Sequence, residues 1–269
     1  MKGRDDLRSV SDLSGARVVI TGGGSGIGRA SAVLSARLGA KVSLIDIRPA
    51  LLREAAELVR AAGGEVWEFE ADVAHEDRVT RAIEEAADRM GGIDGVVVCA
   101  GVATEGRLHD LTLHDWNLVI SVNLTGAFLT IRAALPHMIE AGGGSVVTIG
   151  SVSSVVIGSG GSAASYMASK GGLLQLTRAV AVEYARWGIR ANCVCPAGVR
   201  TNMGRHSGEL AAITTTRSEH DPPSFRIEPP IAGPADPEDV ASVVAFLLSS
   251  ASSFMTGSAV MVDGGYTAI

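Results

Sequence analysis

The chain has 269 residues, of which 46% are hydrophobic and only 4% aromatic, so its buried core must consist mainly of Val, Ile, Leu and Ala. The formal net charge of −6 argues against a nucleic-acid partner, because binding phosphates needs an excess of positive charge. Charged residues occupy the place where a secretory signal would have its apolar core, and no membrane association is predicted.

The three cysteines give no disulfide framework and are typical of a cytoplasmic protein. Cys193 and Cys195 form a C-x-C pair on a predicted strand, which places them on the same face. No further Cys or His pair has the spacing of metal ligands, so buried free thiols are favoured over a metal site.

Short β-branched segments alternate with longer amphipathic segments along the chain. Seven strands are predicted: ARVVIT, KVSLID, EVWEFEAD, IDGVVVCAG, GSVVTIGS, IRANCVCP and SAVMVDGG. Helices are predicted at 26–39, 50–62, 76–90, 113–140, 165–187 and 236–249. Near-continuous apolar strands that alternate with helices indicate an α/β fold, a Rossmann-type doubly wound domain with a seven-stranded parallel sheet flanked by helices.

One catalytic domain is predicted over residues 14–269, preceded by an N-terminal extension at 1–13. The segment 203–235 is rich in Pro and polar residues and interrupts the alternation just before the last helix. Long segments of this kind are often functional or disordered.

A glycine-rich loop, TGGGSGIG at 21–28, follows the first strand and opens the first helix. Its Gly22, Gly26 and Gly28 have the spacing G-x-x-x-G-x-G and not the usual dinucleotide fingerprint G-x-G-x-x-G. No Gly-Lys-Ser/Thr follows, which excludes a Walker A loop. The position predicts a phosphate site at the helix N-terminus, the alternative being a structural turn.

Asp46 ends the second strand about 20 residues after the glycines, where an acidic residue can accept hydrogen bonds from the adenosine ribose. Its charge would repel a 2′-phosphate, so NAD is favoured over NADP as cofactor. Arg48 nearby could weaken this preference. The alternative is an ordinary strand-end Asp that caps the next helix.

Tyr166 and Lys170, in YMASK, are four residues apart on a predicted helix and therefore share a face. A neighbouring ammonium favours the tyrosinate, which makes a tyrosine a workable proton donor and acceptor for an alcohol and its carbonyl.

Together these motifs resemble the short-chain dehydrogenase/reductase family over nearly all of residues 14–265. TGGGSGIG is similar to that family's T-G-x-x-x-G-x-G, and YMASK to its Y-x-x-x-K. EADV, VNLTGAF, NCVCPAGVRTNM and VMVDGGY resemble further segments of the family, in the same order along the chain. The departures are Cys99, where the N-N-A-G motif usually has Asn, and Ala197, where Gly is usual.

The resemblance implies specific site residues. The implied catalytic set is Asn123, Ser151, Tyr166 and Lys170. The implied cofactor-binding set is Gly22, Ser25, Gly26, Ile27, Gly28, Asp46, Asp72, Val73, Ala100, Gly101, Tyr166, Lys170, Pro196, Val199 and Thr201. In this scheme Asn123 holds a proton-relay water and Thr201 lies near the nicotinamide carboxamide.

The catalytic serine has two candidates. Ser151 ends its strand, as the family's serine does, but implies a two-residue insertion before Tyr166. Ser153 keeps the usual distance to Tyr166 but breaks the alignment with the strand end, so Ser151 is favoured.

The leading hypothesis is an NAD-dependent dehydrogenase for a secondary alcohol or its ketone, and the ending VDGGYTA slightly favours cyclic alcohols. A second hypothesis is an NADPH-dependent 3-oxoacyl-thioester reductase, and a third is a non-catalytic dinucleotide-binding module. The resemblance also implies a homotetramer or homodimer and a substrate lid at 203–235. Arg205, His206, Arg217 and Arg226 in that segment could meet an acidic substrate, but a solvated loop face is favoured.

Overall fold

The structure, a computed structural model, describes residues 11–104, 106–157, 163–203 and 228–269. Most of the segment predicted as a lid, including its three arginines and His206, lies outside these residues, as do residues 1–10. Leu13, at the end of the predicted extension, is buried against the core, and its N–H donates to Leu38 O at 3.0 Å.

The seven predicted strands all form, and they pair in parallel in a single sheet with the order β3-β2-β1-β4-β5-β6-β7. Their bounds are β1 Arg17–Thr21, β2 Lys41–Asp46, β3 Val66–Glu70, β4 Gly95–Val98, β5 Gly144–Ile149, β6 Ile189–Pro196 and β7 Ala259–Val262. The inner strands are buried because helices cover both faces of the sheet, which confirms the predicted fold class.

Seven helices connect or follow these strands within the described residues. Their bounds are α1 Gly26–Arg37, α2 Pro49–Ala61, α3 Glu76–Met90, α4 Leu113–Ile120, α5 Gly126–Glu140, α6 Ala164–Tyr184 and α7 Pro237–Leu248. The helix predicted at 113–140 is continuous but contains a π-helical turn, Ser121–Thr125, between α4 and α5. Such turns are rare and are frequent at functional sites.

The two sides of the sheet carry separate hydrophobic cores. On one side α3, α5 and α6 pack on the strands through Ala, Ile, Leu and Val, and on the other side α1, α2 and α7 do so. Few aromatic residues take part, as the composition predicts.

The helical segment Leu113–Glu140 is long and apolar enough to cross a membrane by length and composition alone. Half of its most apolar window is buried in the protein, and α5 packs into the core of the α3 side. It therefore has the character of a core helix.

Candidate active site

A cleft of about 480 Å³ opens at the carboxyl ends of the strands. The strand order reverses between β1 and β4, and ligands of open α/β sheets bind at this kind of switch point. Thr21 ties the two strand ends together, because its Oγ1 accepts the N–H groups of Cys99 at 3.2 Å and of Ala100 at 3.5 Å.

The cleft brings together nearly all of the residues predicted for the site. The predicted residues that line it are Gly22, Ser25, Gly26, Ile27, Asp46, Asp72, Val73, Ala100, Gly101, Ser151, Tyr166, Lys170, Pro196, Val199 and Thr201. Gly28 and Asn123 lie outside this lining, and Asn123 is only 1% exposed. Residues far apart in sequence thus converge on one cavity.

The glycine loop forms the entrance to α1. Gly22 has φ +65°, a conformation that favours glycine, and a Cβ at Gly28 would collide with the carbonyl oxygen of Gly22. Within the described residues, the N-cap Ser25 makes no side-chain capping bond, and the first turn of α1 holds no acidic residue. The first N–H groups of the helix are therefore available to an anion from the cleft.

Two carboxylates that line the cleft are held by backbone N–H groups. Asp46 Oδ2 accepts the N–H of Gly24 at 3.0 Å, and its Oδ1 accepts the N–H of Arg48 at 3.1 Å. Asp72 Oδ1 accepts the N–H of Ala74 at 2.9 Å. Backbone groups thus fix both side chains where they face the cleft.

Ser151, Tyr166 and Lys170, three members of the predicted catalytic set, line the same cleft. Lys170, 5% exposed, has its Nζ 5.6 Å from the centre of the Tyr166 ring, and Nζ donates to Ile149 O at 2.7 Å. The Ser151 Oγ accepts the N–H of Ser153 at 3.1 Å. Of the two candidate serines, Ser151 lines the cleft with Tyr166, whereas Ser153 lies outside the lining.

Asn123 lies in the π-helical turn. Its Oδ1 accepts the N–H of Val102 at 2.8 Å, and its Nδ2 donates to Val102 O at 2.9 Å and to Ser169 Oγ at 3.0 Å. Both amide hydrogens are therefore committed to the protein. A water at Asn123 would have to donate to one of its oxygens, which limits how the predicted relay could be built.

Oδ1 of Asn123 also faces the cleft wall at Gly101. A Cβ built on Gly101 would lie 3.4 Å from that oxygen and 3.7 Å from Lys170 Nζ. The two polar atoms therefore border the same small space.

The cysteines are all free thiols. Cys193 and Cys195 are fully buried on β6 with their Sγ atoms 3.8 Å apart, which confirms the prediction of buried thiols. The hydrogen bond that the Cys195 thiol makes to Cys193, together with burial, raises the pKa of Cys195. At the cleft, burial raises the pKa of the Cys99 thiol to about 12.

No cluster of three or more metal-ligating side chains occurs in the part of the chain that is described.

Sequence reasoning missed several apolar residues of the lining. They include Ile47, Leu51, Val102, Leu118, Val122 and Met203. Leu118 and Val122 lie one turn apart on the segment predicted as a long helix, so an apolar pair at i and i+4 was the only available signal. In a sequence this signal is indistinguishable from ordinary core packing.

Comparison with known proteins places the chain in a family. A family model described as enoyl-(acyl carrier protein) reductase matches residues 22–267. The chain is 40% identical over 253 residues to 2-(S)-hydroxypropyl-CoM dehydrogenase 3 of Xanthobacter autotrophicus, covering 94% of this chain and 96% of that protein. It is 39% identical over 254 residues to cis-4-hydroxycyclohexanecarboxylate dehydrogenase of Sinomonas cyclohexanicum, covering 93% and 96%.

Solved structures agree with this placement. The crystal structure of a short-chain dehydrogenase from Mycobacterium paratuberculosis bound to NAD superimposes with a TM-score of 0.88 at 31% identity, covering 96% of this chain and 100% of that one. Fold, sequence and site geometry thus point the same way. The chain belongs to the short-chain dehydrogenase/reductase family, as an oxidoreductase that acts on CH–OH groups.

Proposed function

We propose that this protein interconverts a secondary alcohol and its ketone, with a nicotinamide dinucleotide as the hydride carrier and Tyr166 as the acid and base. One observation carries the proposal: Ser151, Tyr166 and Lys170 line the same cleft as the glycine loop and Asp46. A redox cofactor and a proton-transfer group could therefore meet over one substrate.

The cleft suits a dinucleotide in three respects. The uncapped N-terminus of α1 provides N–H groups for a pyrophosphate, since the first turn lacks a competing acid among the described residues. Asp46 can accept from ribose hydroxyls, and the backbone at Ala100 and Gly101 borders the cavity between the two ends. When bound, the nicotinamide would supply or accept the hydride.

The protein's own part is to hold the substrate oxygen and move its proton. In alcohol oxidation Tyr166, as the base, takes the hydroxyl proton, and in ketone reduction its O–H donates the proton to the oxygen. Ser151 steadies the charge that develops on that oxygen by donating its hydroxyl hydrogen. The ammonium of Lys170 lies 5.6 Å from the Tyr166 ring centre, so a positive charge stands beside the proposed proton-transfer group.

The position of Asp46 supports NAD over NADP. Its carboxylate is fixed by two backbone N–H groups at the entrance to the glycine loop. A 2′-phosphate near this carboxylate would place like charges together in a partly buried site. Arg48 also lines the cleft, and its positive charge would weaken the preference for NAD over NADP.

Relatives support the substrate class. Two similar proteins are named as dehydrogenases of secondary alcohols, one of them with the hydroxyl on a cyclohexane ring. We therefore propose a secondary alcohol, including cyclic ones, as substrate.

The alternative is an NADPH-dependent 3-oxoacyl-thioester reductase, in line with the acyl-carrier description of the matching family model. A non-catalytic module is disfavoured, because Ser151, Tyr166 and Lys170 share the cleft.

Further elements of the proposal concern the whole protein. We place it in the cytoplasm as a homotetramer or homodimer, with one catalytic domain over residues 14–269, a substrate lid at 203–235 and Thr201 near the carboxamide. Size-exclusion chromatography with light scattering measures the oligomeric state. A monomer at micromolar concentration would refute that part alone.

The catalytic proposal is tested with purified protein, NAD and a panel of linear, cyclic, sugar and steroid alcohols, with formation of NADH followed by absorbance. Turnover of secondary alcohols supports the proposal. Turnover restricted to NADPH and 3-oxoacyl thioesters would establish the alternative.

A further inference from the structure

The glycine loop contains two glycines, Gly23 and Gly24, that neither its motif nor its backbone conformation explains. Gly24 occupies a free position of T-G-x-x-x-G-x-G. The described glycines with positive φ include Gly22 and Gly26 but not Gly24. Most residues could therefore adopt the backbone conformation of Gly24, and another constraint must act there.

That constraint is space. A Cβ at Gly24 would lie 2.8 Å from Leu51 Cβ and 3.0 Å from Asp46 Oδ2. Separations this short are far inside ordinary van der Waals contact, so either the start of α2 or the Asp46 carboxylate would have to move. A side chain at position 24 would thus press on the Asp46 carboxylate as well as on the start of α2.

The same glycine also holds the carboxylate. The Gly24 N–H donates to Asp46 Oδ2 at 3.0 Å, while the Arg48 N–H donates to Oδ1 at 3.1 Å. Each oxygen keeps a second acceptor position, because a carboxylate oxygen has two lone pairs. The carboxylate is thereby oriented from two sides and can still accept hydroxyl groups from the cleft.

We infer that Gly24 is a specificity-determining residue, which discriminates NAD from NADP by positioning Asp46. The inference rests on the proposed function, since it assumes that Asp46 meets the adenosine ribose. With Gly24 in place, both oxygens are aimed at ribose hydroxyls and the charge lies where a 2′-phosphate would come. An alanine displaces this charge without removing it.

The test measures binding and needs no turnover. NADH and NADPH are titrated separately into wild-type protein and into Gly24→Ala, and binding is followed by nicotinamide fluorescence. The quantity compared between the two proteins is the Kd for NADPH divided by the Kd for NADH. We expect wild-type protein to bind NADH more tightly, and Gly24→Ala to reduce the ratio by at least about tenfold, the size of a lost hydrogen bond to a charged group.

Two controls isolate Asp46 as the intermediary. Gly23→Ala crowds the same loop but presses on Leu44 Cδ2 at 2.9 Å, so it should leave the ratio unchanged even if both affinities fall. In an Asp46→Asn background, Gly24→Ala should change the ratio no further. If Gly24→Ala does not fold, Gly24→Ala/Leu51→Gly removes the shorter contact and leaves the one to Asp46.

The outcomes separate the inference from the proposed function. Wild-type protein that prefers NADPH would refute the proposed cofactor and the inference together. Wild-type protein that prefers NADH, with a ratio that Gly24→Ala leaves within about twofold, would refute the inference alone.

Discussion

Asn123 and Ser169 are joined by a hydrogen bond of 3.0 Å between Nδ2 and Oγ, although 46 residues separate them in sequence. The Ser169 hydroxyl in turn donates a hydrogen bond of 2.7 Å to the backbone carbonyl oxygen of Tyr166. The π-helical turn is thereby connected to the turn of α6 that carries Tyr166 and Lys170. This connection gives Ser169 a positioning role beside the predicted catalytic residues.

Ser169→Ala should lower kcat by about tenfold while the Kd for NADH stays within about twofold. The reason is that Asn123 Nδ2 loses its acceptor and the α6 turn loses an anchor, whereas the nucleotide cradle is untouched. Ser165→Ala is the matched control, because Ser165 lies on the same helix as Ser169. Its Oγ makes a buried 3.0 Å hydrogen bond with Thr104 Oγ1 and none with Asn123. Equal kcat losses in both variants would reduce the role of Ser169 to general stability.

Gly101→Ala tests the space that Asn123 Oδ1 and Lys170 Nζ border. The added Cβ fits at 3.4 and 3.7 Å but fills the gap in which a bridging water would lie. We expect a normal thermal unfolding midpoint and a kcat lower by about tenfold, less than the full contribution of a general acid or base because Tyr166 itself is unchanged. An unchanged kcat would mean that no relay passes between these two atoms.

Tyr166→Phe should fold, bind NADH with unchanged affinity and lose at least about a thousandfold in kcat. The substitution removes only the hydroxyl and leaves the ring over which Lys170 Nζ lies. The measurement is steady-state oxidation of the best alcohol substrate, with circular dichroism as the check on folding. Residual turnover above about a tenth of wild type would exclude Tyr166 as the proton-transfer group.

The pair Arg17 and Asp94 gives a prediction for stability against pH. Burial opposes ionisation of Asp94, but hydrogen bonds from the Arg17 side chain and backbone outweigh it and lower the pKa of that carboxyl. A lowered folded-state pKa contributes stability above the unfolded value of about 4 and loses it as the pH falls through the folded value.

Asp94→Asn should therefore reduce the free energy of unfolding at pH 7 by on the order of 1 kcal/mol, since partial exposure screens the pair. The deficit relative to wild type should shrink as the pH falls below about 4, because Asp94 is then protonated in the unfolded chain and, at still lower pH, in the folded protein. Urea denaturation at several pH values measures this. A deficit independent of pH would assign the effect to packing and not to charge.

The sequence predicted the strands and helices because the apolar runs of β4, β5 and β6 are nearly continuous and glycine or polar residues mark most element ends. It also predicted the position of Asp46, since the end of a strand is readable from its apolar pattern. The bonds of Asn123 to Val102 and Ser169 were beyond sequence reasoning, because they depend on a π-helical turn that shifts the helical register locally. The packing of Gly24 against Asp46 is a matter of ångströms, which no spacing rule expresses.

The most direct test of the central claim compares wild-type protein with Tyr166→Phe, each given NAD or NADP and a panel of secondary alcohols that includes substituted cyclohexanols. We expect NADH formation by wild-type protein with at least one secondary alcohol, at least about tenfold slower reaction with NADP, and almost none by Tyr166→Phe. Tight NADH binding without turnover of any alcohol or ketone would contradict the proposed function, because the cleft would then hold a dinucleotide without performing hydride transfer.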